Sequence, residues 1–454
     1  MAKSSINMLE GSIWDKVLMF AIPLAATSIL QQLFNAADVA VVGQFVGAEA
    51  LAAVGANGIV INLMVNLFVG LSIGTNVVCA NMLGAKNYLR VKQAVHTSMV
   101  VAIVSGIAIA AIGVIFARDI LIYLDTPADI LDLAILYLQI IMAGMPFFML
   151  YNFSSAILRS KGDTRRPLIA MVISGIVNVL LNLFFVAKLH MNVEGVALAT
   201  AISSAVSASI LLYHLIKEKG MLQLRWQKLY VDCSISAFRH IARVGLPAGI
   251  QGMAFSVSNI VVQIALNNLG STVVAATAAA LNYEFFMFFI MSSFAQACST
   301  FVGQNFGARN ISRCKQIIKC CLIMNVAVTG IGSLICVIFA VPLVSVFTND
   351  PDVIYYAAIR VRYIISLEII NVVMETLSGA MRGFNYSLQP AIICIMGICV
   401  FRVIFIYTYF PEHSSFEVLM ALYPISWTFT VIGVVIAYLY VIKKLERRCL
   451  FQNQ

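Results

Sequence analysis

Asp38 is the one ionisable residue between Lys16 and Glu49, set in the stretch LFNAADVAVVGQF of residues 33–45. A carboxylate in so apolar a run can hold a proton or a cation. In a membrane it costs roughly 2.5–3.5 kcal/mol on insertion scales and normally faces a cavity or a polar partner. Thr27, Gln31, Asn35 and Asp38 recur at i, i+4, i+8 and i+11. On a helix they fall within about an 80° arc, one polar stripe on an apolar cylinder. Tying helices together by hydrogen bonds is the blander role for such an acid, but a neutral Asn or Ser would do that at lower cost. Downstream, Asn178 and Asn182 stand one turn apart in NVLLNLFFV, and Thr200, Ser203, Ser204 and Ser207 cluster on one side of a later run. Ser/Thr stripes also serve as packing contacts between helices.

A second stripe carries Glu368, Asn371, Glu375, Ser378 and Arg382 at i, i+3, i+7, i+10 and i+14, again within about an 80° arc. Arg402 lies about as deep from the inner membrane edge as Glu368, so a structural Glu368–Arg402 ion pair is expected. That pairing leaves Glu375 free for substrate or proton. Glu284 has no accompanying stripe and is the weaker candidate. Pro23 removes a helix hydrogen bond near the inner end of its run and marks a hinge.

Enzyme chemistry finds no support. The five histidines (96, 190, 214, 240, 413) are dispersed, and no HExxH, paired-carboxylate or Cys-x-x-Cys pattern occurs. No metal site or cofactor is expected, and the ten cysteines read as small reduced residues. The loops LGAKN and FGARN lack the GxxxxGK[ST] phosphate cradle and read as turns; ATP-driven transport by this chain is excluded.

The elements that must position these residues follow from composition. Of 454 residues 61% are hydrophobic and 11% charged, against about 25% charged in soluble domains. Uncharged runs cover 50–85, 93–117, 167–187, 244–283 and 285–308, each at least the ~20 residues that a spanning helix needs. Breaks between runs give twelve spans, near 17–42, 52–80, 93–117, 132–157, 167–187, 195–216, 240–267, 273–302, 320–346, 354–381, 389–410 and 417–442. With a cytoplasmic N-terminus, 24 of the 29 Lys and Arg residues fall on the inner side, the exceptions being Arg118, Lys188, Arg360, Arg362 and Arg402. The positive-inside rule then puts both termini in the cytoplasm of a multi-pass cell-membrane protein. The net charge of +9 is accounted for by membrane lipid, without nucleic acid. The N-terminus lacks a cleavable leader pattern, so the first span is expected to stay.

The chain also repeats. Leu83–Asn87 matches Phe306–Asn310, Lys92-Gln93 matches Lys315-Gln316, and Arg159…Pro167 matches Arg382…Pro390, each at an offset of 223. Pro23 and Asn35 match Pro247 and Asn259 at 224. Six spans per repeat is an even number, so the halves run parallel. The expected architecture is an all-α polytopic membrane protein, twelve transmembrane helices in two parallel-repeat six-helix bundles. The bundles are residues 1–216 and 240–454, joined by a cytoplasmic link over 217–239. Transporters place their site near the midplane of such repeats. Val262 stands at the position aligned with Asp38, so the fold itself does not require the acid.

The link LGAKNYLRVKQ lacks the motif of the major facilitator group. Along nearly its whole length the chain resembles instead the multidrug and toxic compound extrusion (MATE) family of secondary transporters. The resemblance rests on Pro23 and Asp38 in IPLAATSILQQLFNAADVAVVGQFVGAEALAAVG, on LRSKGDTRRP (158–167) with its partner MRGFNYSLQP (381–390), and on both Gly-Ala-basic-Asn loops. It implies a cation site in the N-terminal bundle at Asp38, Asn178, Asn182 and Thr200. Many relatives carry Asp where this chain has Asn182, and a single carboxylate favours proton over sodium. Sodium-coupled relatives tend to have an acid at the position of Asn371 and a Glu in the seventh span, where this chain has Phe255 and Ser256. Gln31, Asn35, Asn371, Glu375 and Glu284 are candidates for the substrate cavity or secondary coupling.

The function implied is a monomeric antiporter that exports small organic, cationic compounds in exchange for protons by rocking of two bundles. The alternatives are a sodium-coupled drug antiporter, or a lipid-linked saccharide flippase of the same superfamily, which would show several cationic residues in its central cavity. The 28 Phe and 20 Met residues suit a promiscuous pocket for flat cations.

Overall fold

In hydrocarbon every backbone N–H and C=O must find its partner within the chain, and the helix is the solution open to a run of about 20 apolar residues. The computed structural model describes residues 6–452, and the regular structure of the described residues is all helix, without strands. The first repeat comprises α1 (Trp14–Phe45), α2 (Ala48–Gly84), α3 (Tyr88–Tyr123), α4 (Leu131–Ala143), α5 (Met145–Ser160), α6 (Arg165–Asn182) and α7 (Val193–Lys217). The second comprises α8 (Ile235–Asn267), α9 (Ser271–Gly307), α10 (Ile311–Ile338), α11 (Ala340–Val344), α12 (Pro351–Ser366), α13 (Glu368–Gly383), α14 (Leu388–Cys394), α15 (Phe401–Thr408) and α16 (Phe416–Gln452). Ten helices or continuous helical runs are long and apolar enough to cross a membrane, and counting the bent pairs α4–α5 (42°) and α12–α13 (43°) as one span each gives twelve. Every expected span has its helix. Lys3, used for orientation, lies outside the described residues, as does the side chain of Arg448.

The repeat is visible in the geometry. Helices α2 and α9 are both 37 residues long, and α5 and α13 both 16, each pair beginning 223 positions apart. The Gly-Ala-basic-Asn loops are turns, as expected. Lys86 and Arg309 take left-handed φ of 53° and 60°, and the following Asn87 and Asn310 cap α3 and α10 by accepting from Arg90 N (3.2 Å) and Arg313 N (3.0 Å). An Asn cap of this kind contributes about 1 kcal/mol. The bends also correspond, at Gly144 and Leu367. In the first, Pro146 at the start of α5 has no N–H to continue the ladder of α4.

The chain divides into two compact units that do not follow the expected boundary at the link. Unit 1 is Ala26–Gly249 with Ile6 and Asn7; unit 2 is Met8–Ala25 with the residues from Ile250 onward. Thus α1 and α8 each contribute their first half to one unit and their second half to the other. The changeover falls two residues after Pro23 in α1 and two after Pro247 in α8. In unit 1 the first half of α8 lies backbone to backbone on α2: a Cβ on Gly70 would sit 2.2 Å from Gly249 N, so only glycine allows the approach. The segment after α7 is strapped to unit 1 rather than left as a loose tether. Glu218 binds Lys161 (2.5 Å) and Arg166 (2.7 Å), Lys92 pairs with Asp232 (2.9 Å), and Ser234 N donates to Thr97 Oγ1 (3.0 Å). Burial opposes ionisation of Glu218, but the hydrogen bonds from Lys161 and Arg166 outweigh it and hold the carboxyl below its ordinary range.

Candidate functional site

In unit 1 a missing side chain sets the approach of α1 to α6. A Cβ on Gly175 would overlap the ring of Phe34, at 1.7 Å from its Cε2, so glycine lets Phe34 nest against α6. One turn beyond Phe34 comes Asp38, and one and two turns beyond Gly175 come Asn178 and Asn182. The spacing therefore delivers the carboxylate to the two amides. Asn182 Nδ2 donates to Asp38 Oδ1 at 2.5 Å and to Asn178 Oδ1 at 3.2 Å. From α7, Thr200 Oγ1 donates to Asp38 Oδ2 at 3.0 Å and itself accepts from Asn178 Nδ2 at 3.4 Å. All four residues of the expected site meet in one network.

Three of its members are buried (Asp38 7%, Asn178 4% and Asn182 0% exposed). Among the described residues no basic side chain pairs with Asp38; its charge is met by neutral amide and hydroxyl donors. Hydrogen bonds to a charged group contribute about 1.5–3 kcal/mol each. Asn182 Oδ1 is buried with no hydrogen-bond partner, an acceptor beside an acid. Immediately after Asn182 the helix widens into a π-helical turn, Leu183–Lys188, a feature frequent at functional sites.

The rest of the first stripe is not recruited. Asn35 is exposed and Gln31 half-buried, and neither joins the network at Asp38. A helical arc defines a face but not how much of it the neighbouring helix covers. Ser203 and Ser204 donate to Thr200 O (3.0 and 2.8 Å) and Ser207 to Ser204 O (2.9 Å), so these hydroxyls bond back to their own helix.

Unit 2 corrects two expectations. Glu368 and Arg402 do not form an ion pair: Arg402 Nε donates to Ser426 Oγ (3.2 Å) with its guanidinium 4.3 Å from the Tyr423 ring centroid, while Glu368 accepts from Asn371 Nδ2 (3.0 Å). Equal depth puts two side chains at one height, but their azimuth around the helices decides contact. Glu375 is not free either, being paired with Arg382 two turns along α13 (3.4 Å). The buried ion pair of this unit is one that the sequence did not announce. Arg360, 2% exposed, donates Nε to Glu284 Oε1 (2.6 Å) and Nη2 to Oε2 (2.9 Å), a bidentate fork between α12 and α9. The available signal was an arginine inside the apolar run YYAAIRVRYIIS, which demands a partner. Glu284, Arg360, Glu368 and Asn371 line one cavity of 270 Å³ with Tyr423 and Trp427 of α16.

Comparison with known proteins gives these sites their setting. The family model MatE matches residues 23–184 and again residues 247–408, two copies offset by the 224 positions that separate Pro23 from Pro247. The chain belongs to the MatE family. It is 29% identical to the probable multidrug resistance protein NorM of Thermotoga maritima, covering 86% of this chain and 84% of the relative. It is 27% identical to the probable multidrug resistance protein YoeA of Bacillus subtilis (86% and 85%). To the FAD transporter of Shewanella oneidensis it is 25% identical (77% and 78%). Among solved structures, a MATE in complex with MaL6 superposes with a TM-score of 0.90 at 21% identity, covering 98% of this chain and all of that one. The outward-facing form of a multidrug resistance MATE family transporter of the MOP superfamily gives 0.89 at 21% identity, with the same coverage. The MatE fold, with its twelve helices, is therefore the fold of this chain.

Proposed function

We propose that this MatE chain is a cell-membrane antiporter that exports small organic cations in exchange for protons, as a monomer with both termini cytoplasmic. One observation carries the reading: Asp38 is a buried carboxylate held by neutral donors alone. A charge without a permanent counter-ion can be cancelled and restored by a proton arriving and leaving. Protonation turns one oxygen of Asp38 from acceptor to donor, and the unpartnered Asn182 Oδ1 stands beside it as an acceptor. The change of hydrogen bonding is communicated along α1, whose ladder is interrupted at Pro23. Proton and substrate must oppose each other's binding for exchange to be coupled, and rocking of the two bundles would complete the cycle.

The names of the relatives support a multidrug substrate range. Cations rather than anions are favoured because the arginine lining the unit 2 cavity is already committed to Glu284. The same commitment weighs against a flippase for lipid-linked saccharides, which would need free basic groups. Sodium is the second reading. It is favoured by the oxygens of Asp38, Asn178, Asn182 and Thr200 gathered in one network, and opposed by their single negative charge.

The deciding experiment is dye efflux from proteoliposomes under a proton gradient or a sodium gradient imposed separately. Efflux driven by the proton gradient alone is expected. Efflux that follows only sodium would replace the proton reading.

A further inference from the structure

Between Lys217 and Arg239 the chain carries two acids and five bases. Both acids are already matched by bases from outside this stretch, Glu218 by Lys161 and Arg166, and Asp232 by Lys92. Lys217, Lys219, Arg225, Lys228 and Arg239 are all exposed, and none of them enters an ion pair with a described residue. The free side of the link is therefore basic.

The link is also held at a defined height. Leu224 N donates to Leu215 O (3.0 Å) in the last turn of α7. Arg225 N donates to His96 Nε2 (3.2 Å), and Ser234 N to Thr97 Oγ1 (3.0 Å). Thr97 stands nine residues into α3 and inside the uncharged run 93–117, about 14 Å along the helix at ~1.5 Å per residue. The link thus lies back along the ends of α3 and α7, at the depth where these spans meet the lipid headgroups. Between its anchors, residues 226–231 form an arch. Leu229 faces inward, packed on the core of unit 1, while Trp226, Lys228, Tyr230 and Val231 face out. Tyr230 is 93% and Val231 77% exposed. An apolar group displayed on a fixed arch marks an interaction surface, and this one stands where membrane proteins collect Trp and Tyr.

We propose that the arch is a docking surface for anionic phospholipid, with Trp226, Tyr230 and Val231 entering the headgroup layer and Arg225 and Lys228 holding the phosphates. The proposal goes beyond the transport reading and does not depend on it. A zwitterionic lipid carries a cation beside its own phosphate, whereas an anionic lipid leaves its charge to the protein. Unpaired basic side chains at the membrane surface therefore select the second. A soluble protein would have to reach the arch through the same headgroup layer.

Tryptophan fluorescence of the full-length protein in lipid vesicles tests this. Trp14 and Trp226 are half exposed and Trp427 is buried. The difference between Trp14→Phe and Trp14→Phe/Trp226→Phe therefore isolates Trp226. The vesicles are phosphatidylcholine in which a fifth of the lipid is brominated near the ester end of its chains, either as phosphatidylglycerol or as phosphatidylcholine. Quenching of Trp226 is expected from both, at least threefold stronger from phosphatidylglycerol, with the excess falling as salt is raised. Arg225→Gln/Lys228→Gln is expected to remove the excess and keep the quenching by phosphatidylcholine. Tyr230→Ser/Val231→Ser is expected to lower quenching by both lipids at least twofold. All four substituted side chains are exposed, so these variants leave the core packing intact.

Equal quenching by the two lipids, or an excess that survives Arg225→Gln/Lys228→Gln, overturns the anionic contact. A Trp226 that dissolved iodide quenches and neither lipid does stands in water, within reach of a soluble partner, and overturns the docking surface. The readout uses no gradient and no substrate, so it is independent of the exporter reading.

Discussion

Asp38 in unit 1 and Glu284 in unit 2 are both carboxylates on long apolar helices. The first is held by an amide and a hydroxyl, the second by the fork of a guanidinium. The two halves share a backbone plan, with α2 and α9, and α5 and α13, of equal length and turns of equal handedness at Lys86 and Arg309. The repeat thus preserved where helices start and bend while the polar contacts diverged. Neutral donors leave a charge that a proton can cancel. An arginine, which stays protonated in proteins, fixes the charge of its partner. Of these two carboxylates Asp38 faces neutral donors and Glu284 a fixed counter-ion, while Glu368 in the second half, accepting from Asn371, is of the first kind.

The largest expected effect tests the changeable side. Asp38→Asn should lower gradient-driven dye efflux at least 100-fold in proteoliposomes, and residual efflux that still follows the proton gradient would erase the contrast. On the fixed side, Arg360→Met strands Glu284 without its counter-ion. Breaking a buried pair costs about 3–5 kcal/mol, to be read from denaturant unfolding of the purified protein, and Glu284→Gln/Arg360→Met should recover most of it. If the single variant is as stable as the double, Glu284 is not stranded as a buried charge when Arg360 is removed.

A subtler change converts one mode of holding charge toward another. Asn182→Asp adds a second carboxylate to the Asp38 network and should introduce sodium-driven efflux that the wild type lacks.

The smallest effect lies outside the membrane. Hydrogen bonds from Lys161 and Arg166 overcome the burial of Glu218 and keep its folded pKa below the ordinary 4.5. The stability it contributes is complete above that value and fades as pH falls through the lower folded one. Glu218→Gln should cost about 0.5–1 kcal/mol at neutral pH, and the difference from wild type should fade as pH falls from 4.5 through the lowered folded value. A difference that persists there would assign the strap to packing rather than charge.

How much of this was legible in the sequence depended on whether an interaction leaves a local pattern. Asp38 announced itself as an acid in an uncharged run, and Asn178 and Asn182 as amides one turn apart, but it was the family resemblance that joined them with Thr200 into one site before any coordinates. The loops at Lys86 and Arg309 were readable as turns because their chemistry is contained in five residues. The Glu284–Arg360 pair joins residues 76 positions apart on different helices, and nothing near either one encodes the other. Matching Glu368 to Arg402 by depth failed because a one-dimensional coordinate omits rotation about the helix axis. The changeover of α1 and α8 between units was hidden for a related reason: a helix reads the same whichever neighbours its two halves choose.

That changeover bears on how such a chain could have arisen. Each unit takes half a helix from the stretch of chain that begins the other, so one six-helix repeat is not a finished object. Before any duplication, a single copy would have completed itself by lending its first half-helix to a second copy and borrowing one in return, a reciprocal domain swap between identical subunits. Fusion of the two genes would then have turned a loan between molecules into a bond within one.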